Sequence, residues 1–452
     1  MNGKNILLFA ICLFTAFLLF GKNVAQYVST DWYDARWIGV SDEDLPFYSH
    51  YLPVFKINYT VQISAPSQEE QDVFTGGQWG ESAFAGFIYG ANDERLLNKN
   101  KNIYGIENER DSSYIMIELA VRKSNSPCKN LAEAELNIYR VGFSPNDKKG
   151  VPFKTVTIPI SIINKENKFL PHTVFIHSNL GETQIFIDGE NKENLVADLL
   201  LNPYGRGGDF FAYPVVGDIG LFVNENQDVT FDNLKIRNFR EPSNVLNLLG
   251  FQNLTDLKNT IFNPSKNSMP MLRNEFSTTG KKIVNAKLYV TARGIYDFYI
   301  NGERINKDYF NPGFTQYNKT HFYQIYDVSK FLQNGKNAVG AILGEGWWSG
   351  GSTYAGENWN FFGDRQSLLA KLHIAYNDGT EQVIITNPET WKYSTEGAVV
   401  SNSFFQGEVY DATKEIPDWC KVDFYDKNWK PAKEILLKGS TFPLDYSVFS
   451  LV

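Results

Sequence analysis

Apolar and polar residues alternate with a period of two through most of this chain, and that period admits pleated strands while leaving little room for helices. In Lys154–Ile163 the run Thr-Val-Thr-Ile-Pro-Ile reads as a strand, with Pro159 marking an edge or an irregularity. His172–Ser178 and Glu182–Asp188 form a pair around Asn179-Leu180-Gly181, and Ile219–Val223 with Val229–Ile236 reads as another. Ala286–Ala292 and Ile295–Ile300 are strands, followed by Asn301-Gly302, a hairpin turn because both residue types tolerate positive φ. Asp378-Gly379 plays the same part between Leu368–Tyr376 and Gln382–Thr386. Leu131–Tyr139 and Val328–Leu332 are at most short helices.

Many short strands punctuated by Gly, Asn, Asp and Pro make an all-β chain of two β-sandwich or jelly-roll domains. A length of 452 residues exceeds one ordinary core and suits two or three domains. The first block spans residues 44–240. Residues 241–268, rich in Asn and broken by Pro242 and Pro264, read as a linker. The second block spans 269–438, and 439–452 forms a tail without a recognisable cap. Within residues 26–43, Trp37-Ile38 looks like an opening strand that belongs with the second block, which makes the first block an insertion.

The net charge of −8 argues against nucleic acid, whose binding rests on neutralising phosphates with Lys and Arg. Lys148-Lys149 and Lys281-Lys282 read as solvated turns. Lys4 precedes an apolar run from Ile6 to Phe20 and then Gly21–Ala25, the layout of a secretory signal peptide over residues 1–25. The expectation is an exported protein, periplasmic, cell-surface or secreted; the membrane becomes a partner only if this segment stays uncleaved. Beyond it only Cys128 and Cys420 remain, so neither a disulfide framework nor zinc-ligand spacing is indicated.

The second block carries an ordered series of motifs. Met269-Pro-Met-Leu-Arg-Asn-Glu-Phe276 leads to Ala286–Gly302, then Asn311-Pro-Gly-Phe-Thr-Gln-Tyr317 and Tyr323-Gln-Ile-Tyr-Asp-Val328. Gly344-Glu-Gly-Trp-Trp-Ser-Gly350, Asn360–Arg365, Tyr376–Gly379 and Gly407-Glu-Val-Tyr-Asp-Ala412 follow. The series resembles the N-terminal, non-catalytic β-sandwich of bacterial α-L-rhamnosidases of glycoside hydrolase family 78. In the first block, Phe87–Asp93, Ile185–Gly189, Gly217–Leu221 and Phe231–Leu234 are similar to an inserted jelly-roll module akin to carbohydrate-binding module family 67.

That second resemblance implies L-rhamnose held through a calcium ion, with Asn92 and Asp93 as carbohydrate and metal ligands, since hard cations take oxygen donors. The competing reading of Asn92-Asp93 is an ordinary turn after a strand. Asp232-Asn233 reads as structural. The segment Gly344–Asp364 gathers Trp347, Trp348, Tyr354, Trp359, Phe361 and Phe362. It reads either as a sugar-stacking shelf, for which Trp347, Trp348 and Trp359 are the candidates, or as a surface made to be covered by another domain.

Glycoside hydrolysis needs two carboxylates roughly 5–10 Å apart across the scissile bond, and the resemblance places them in an α/α barrel after the β domains. No pair in this chain claims those roles; Glu408 and Asp411 read as structural or interdomain, and Glu345 likewise, so no catalytic residue is expected. The expectation is an accessory, carbohydrate-recognising part of an α-L-rhamnosidase acting on rhamnose-containing glycans, itself inactive, with the barrel domain as its missing partner. The alternatives are a secreted calcium-dependent rhamnose lectin and a structural scaffold.

Overall fold

The computed structural model describes residues 32, 34–64, 83–91, 113–121, 134–144, 146–160, 170–202, 214–223, 228–238, 241–248, 259–317, 319–351, 360–436 and 450–451. The signal-peptide expectation, together with Cys128, lies outside them. The chain divides into Met1–Ala35 and Arg36–Val452, and every strand and 3₁₀ turn of the described residues lies in the second unit. Among the described residues it is all-β: every helix is a three-residue 3₁₀ turn.

One sandwich pairs two six-stranded antiparallel sheets. The first sheet runs Glu241–Leu248, Asp228–Asn238, Val54–Ser64, His172–Asn179, Glu182–Ile187, Leu195–Leu200. The second runs Ile261–Phe262, Asp218–Val223, Ala83–Ala91, Tyr114–Val121, Ala134–Val141, Lys154–Ile158. Alternation decides which face is inward: Phe55, Ile57, Tyr59, Val61 and Ile63 all enter one core, where Tyr59 stacks on Phe87 at 4.8 Å. Each such buried side chain contributes roughly 1.5–3 kcal/mol relative to leaving it exposed.

Three sequence expectations change here. Asp218–Val223 and Asp228–Asn238 are not a hairpin; they lie in opposite sheets, paired with Ala83–Ala91 and Val54–Ser64 respectively. Residues 241–268 are not a plain linker, because Glu241–Leu248 and Ile261–Phe262 extend the two sheets as edge strands, the position that tolerates Pro242. The stretch 131–139 is not helical where it is described: Ala134–Val141 is a strand that buries Leu136 and Ile138 inward. Its outward Asn137 instead joins a polar ladder, donating to Glu118 at 2.9 Å and accepting from Thr155 at 2.7 Å.

The other sandwich faces Gln324–Asp327, Ile283–Arg293, Ser367–Tyr376, Ile38–Gly39 and Lys433–Glu434 against a second sheet. That sheet runs Glu303–Arg304, Ile295–Ile300, Lys336–Gly344, Met271–Ser277, Lys392–Ser394, Lys430–Pro431. Ile38 is fully buried and lies opposite Leu368 and Glu434, so the chain enters this sandwich before building the other one. A neck joins the two: Phe47 and Lys266 exchange both backbone hydrogen bonds at 2.9 Å, and the Asn267 amide donates to the Leu45 carbonyl. The Asn301-Gly302 turn has φ of 51° and 85°, the paired positive values that a tight hairpin needs.

Candidate functional site

The loops beside the second sandwich build a two-layer aromatic face. The inner layer is Tyr317, Trp348 and Phe362, with Tyr317 edge-on to Trp348 at 5.6 Å and to Phe362 at 5.0 Å. The Tyr317 hydroxyl donates to the Gly313 carbonyl at 2.9 Å, which satisfies its polar end, and burial pushes the phenol pKa well above the ordinary value. His321 lies 6.0 Å from Trp348; burial, helped by the Arg293 charge, pulls its pKa down to about 3, so at neutral pH it packs as an uncharged ring. Arg293 places its guanidinium over Trp37 at 4.1 Å and over Trp348 at 5.6 Å, tying the opening strand to this cluster.

The outer layer is Phe310, Phe314, Trp347 and Phe404. Trp347 meets Phe404 at 4.4 Å, and Phe310 and Phe314 flank it at 6.4 and 6.1 Å. Phe310 and Phe314 are each 57% exposed, and Tyr309 and Phe361 continue the patch. Exposed apolar rings gathered in this way are the kind of surface on which interaction sites are built.

Of the residues expected to meet a sugar, Trp347 lies on the outer layer. Trp348 does not: it is 1% exposed, with its ring so close over Gly363 that no side chain fits there, so it is a core residue. Trp359, Asn92 and Asp93 lie outside the described residues. Phe310, Phe314 and Phe404 were not singled out from the sequence as site residues, and the motif Asn311–Tyr317, which holds Phe314, was the available signal.

The carboxylates of the described residues are mostly committed to structure. Asp411 accepts from the Thr413 backbone at 3.0 Å and caps the turn Ala412–Lys414, while Glu408 accepts from Asn402 at 2.9 Å. Asn233, with φ of 53°, sits in a bulge, and its backbone N–H donates to Asp232 at 2.7 Å. Glu345 differs: burial pushes its carboxyl up to about 8, with a Ser403 hydrogen bond opposing. Such an acid stays protonated near neutrality. Yet the cleft it lines, with Tyr48, Tyr51, Met269 and Gln406, holds about 40 Å³, too little for a sugar ring. Among the described residues no group of three His, Cys, Asp or Glu could hold a metal ion.

The motif series through the second sandwich has a direct counterpart. Residues 281–443 match the alpha-L-rhamnosidase N-terminal domain. Over 166 residues the chain is 38% identical to an α-L-rhamnosidase of Streptomyces avermitilis, covering 37% of this chain and 16% of that protein. Over 150 residues it is 37% identical to an α-L-rhamnosidase of Formosa agariphila, covering 33% and 16%. The chain therefore spans about a sixth of the length of these curated relatives. Among solved structures, the Streptomyces avermitilis α-L-rhamnosidase complexed with L-rhamnose overlays 89% of this chain and 34% of its own, at 18% identity and a TM-score of 0.42. The Dictyoglumus thermophilum α-L-rhamnosidase overlays 79% and 30%, at 20% identity and a TM-score of 0.35. These overlays are loose, and the sequence match carries the relationship.

Proposed function

We propose that this chain is an accessory, carbohydrate-recognising part of an α-L-rhamnosidase, and that it does not itself cleave the glycosidic bond. The match of residues 281–443 to a rhamnosidase N-terminal domain carries this reading. The carboxylates singled out above are in keeping with it, since Asp411 caps a turn, Glu408 accepts from Asn402 and the cleft beside Glu345 is too small for a sugar ring. We further propose that the outer aromatic layer, Phe310, Phe314, Trp347 and Phe404, is the seat of the remaining portion of such an enzyme. An exposed apolar patch of several neighbouring rings fits a domain contact better than free surface.

The purified chain is expected to bind rhamnosides by calorimetry and to release no p-nitrophenol from p-nitrophenyl α-L-rhamnoside above the buffer rate. Turnover by the chain would end the accessory reading. Two further parts of the proposal have their own tests. Calcium at Asn92 and Asp93 predicts rhamnose affinity that falls with chelator and with Asp93→Ala, and export predicts a mature N-terminus near Gln26.

A further inference from the structure

A second concavity lies on the outer face of the sheet that carries Met271–Ser277, Lys336–Gly344 and Ile295–Ile300. Its floor comes from three adjacent strands. Met271 is opposite Ile342, and Tyr299 is opposite Gly340 one pleat along, so Met271, Ile342 and Tyr299 share the face. Met269 and the segment Gly397-Ala398-Val399 line it further, with Tyr410 paired beside Val399, and Glu415, Ile416, Pro417 and Trp419 complete the lining. The space is about 280 Å³. Ligand pockets run from about 300 to 1,000 Å³, which limits this one to a single small ring.

The walls are fixed in advance. Trp419 lies against Gly340, meets Tyr299 edge-on at 5.3 Å and stacks with Trp429 at 6.1 Å and 15°. The next residue, Cys420, is buried and donates its thiol to the Tyr299 carbonyl. At the exposed rim, the Tyr410 hydroxyl donates to Glu415 Oε1 at 2.7 Å, and a carboxylate has a second oxygen that can accept. The cleft thus offers an apolar bottom of methionine, isoleucine, valine and indole, and a carboxylate at its mouth. Anions are disfavoured beside Glu415, and a purely apolar ligand leaves that carboxylate unused. A neutral ring with a C–H face, a methyl group and hydroxyls on one edge uses both halves.

We infer that this cleft holds one 6-deoxyhexose residue, its methyl and C–H face on Met271, Ile342 and Trp419 and its hydroxyls donating to Glu415. The inference rests on the carbohydrate-recognising reading above and gives it a location. The chain has four methionines, of which Met269 and Met271 line the cleft while Met116 belongs to the other sandwich. Methyl-¹³C-methionine NMR of the whole chain therefore reads the site directly, with assignments from Met269→Leu and Met271→Leu. Titration with methyl α-L-rhamnoside should move the Met269 and Met271 methyls saturably and leave Met116 in place. Glu415→Gln, at an exposed position, should weaken that response at least tenfold, the order expected for a lost hydrogen bond to a charged acceptor. Methyl α-L-mannoside, which replaces the methyl with a hydroxymethyl, should bind more weakly. If calorimetry shows rhamnoside binding while both methyls stay still, or if Glu415→Gln changes nothing, the cleft is not the site and the recognition reading stands. If calorimetry shows no binding at all, the recognition reading fails and the cleft assignment goes with it.

Discussion

Trp419 packs against Gly340: a Cβ added at position 340 would sit 2.5 Å from Cζ3 of the indole and 2.5 Å from the Leu272 carbonyl oxygen. The glycine is what lets the ring lie against the sheet and form one wall of the cleft. Gly340→Ala should therefore lift Trp419 and cost about 1–3 kcal/mol, the range for an added methyl in a packed region. Urea unfolding followed by tryptophan fluorescence checks this, and an unchanged midpoint with an unchanged emission maximum would show that the ring yields freely.

Arg273 is 1% exposed and donates to both Asp426 and Glu275, with the Lys421 carbonyl as a third acceptor at 3.1 Å. Burial raises the pKa of Asp426, but the Lys392 hydrogen bond and the Arg273 charge outweigh it, so the net position is below the ordinary value. A depressed carboxylate contributes stability above its unfolded pKa of about 3.9 and loses it as pH falls through the folded value. Asp426→Asn should cost about 2 kcal/mol at pH 7, within the range for a lost hydrogen bond to a charged group, and the difference from wild type should shrink in acid. Paired denaturation curves at pH 7 and pH 3 measure it.

Glu345 gives the opposite slope. Its folded pKa of about 8 lies above the unfolded one, so the folded state holds a proton that the unfolded state has released. Stability should fall as pH rises from about 4.5 to about 8, by an amount of the order of a few kcal/mol. Glu345→Gln removes that slope: close to wild type at pH 5, it should be more stable than wild type at pH 8. Thermal midpoints of both proteins across this range decide the matter, and parallel curves would contradict the enclosed carboxyl.

The outer aromatic layer should be removable without unfolding the chain. Phe310 and Phe314 are more than half exposed, so Phe310→Ser with Phe314→Ser should change stability by under about 1 kcal/mol in total. The double variant should bind markedly less of a hydrophobic dye such as ANS and aggregate more slowly. Dye fluorescence at matched concentration checks this, and an unaltered signal would place the accessible apolar surface elsewhere.

The parts of this fold that were legible in the sequence are those fixed by local chemistry. Asn301-Gly302 specifies its own hairpin, and the alternation in His172–Asn179 and Glu182–Ile187 specifies a strand pair with one face inward. Long-range pairing was not legible in the same way. Asp218–Val223 and Asp228–Asn238 are neighbours in sequence but cross between sheets, because each finds its partner in a strand far back along the chain. Glu241–Leu248 hid behind Asn and Pro, which an edge strand accommodates. In the glycine-rich stretch around Trp347 and Trp348 no period separates an inward ring from an outward one, and the fold buries the second while leaving the first half-open. The Trp419 cleft draws on residues from Met269 to Trp419 in several separate segments, and no local motif announces such a gathering.

Recognition without cleavage is open to one titration that reads both halves. The purified chain is mixed with increasing p-nitrophenyl α-L-rhamnoside while methionine methyl shifts and free p-nitrophenol are followed in the same sample. Saturable movement of the Met269 and Met271 methyls is expected, with no p-nitrophenol above the buffer control. Release of p-nitrophenol at a rate proportional to protein concentration would contradict it.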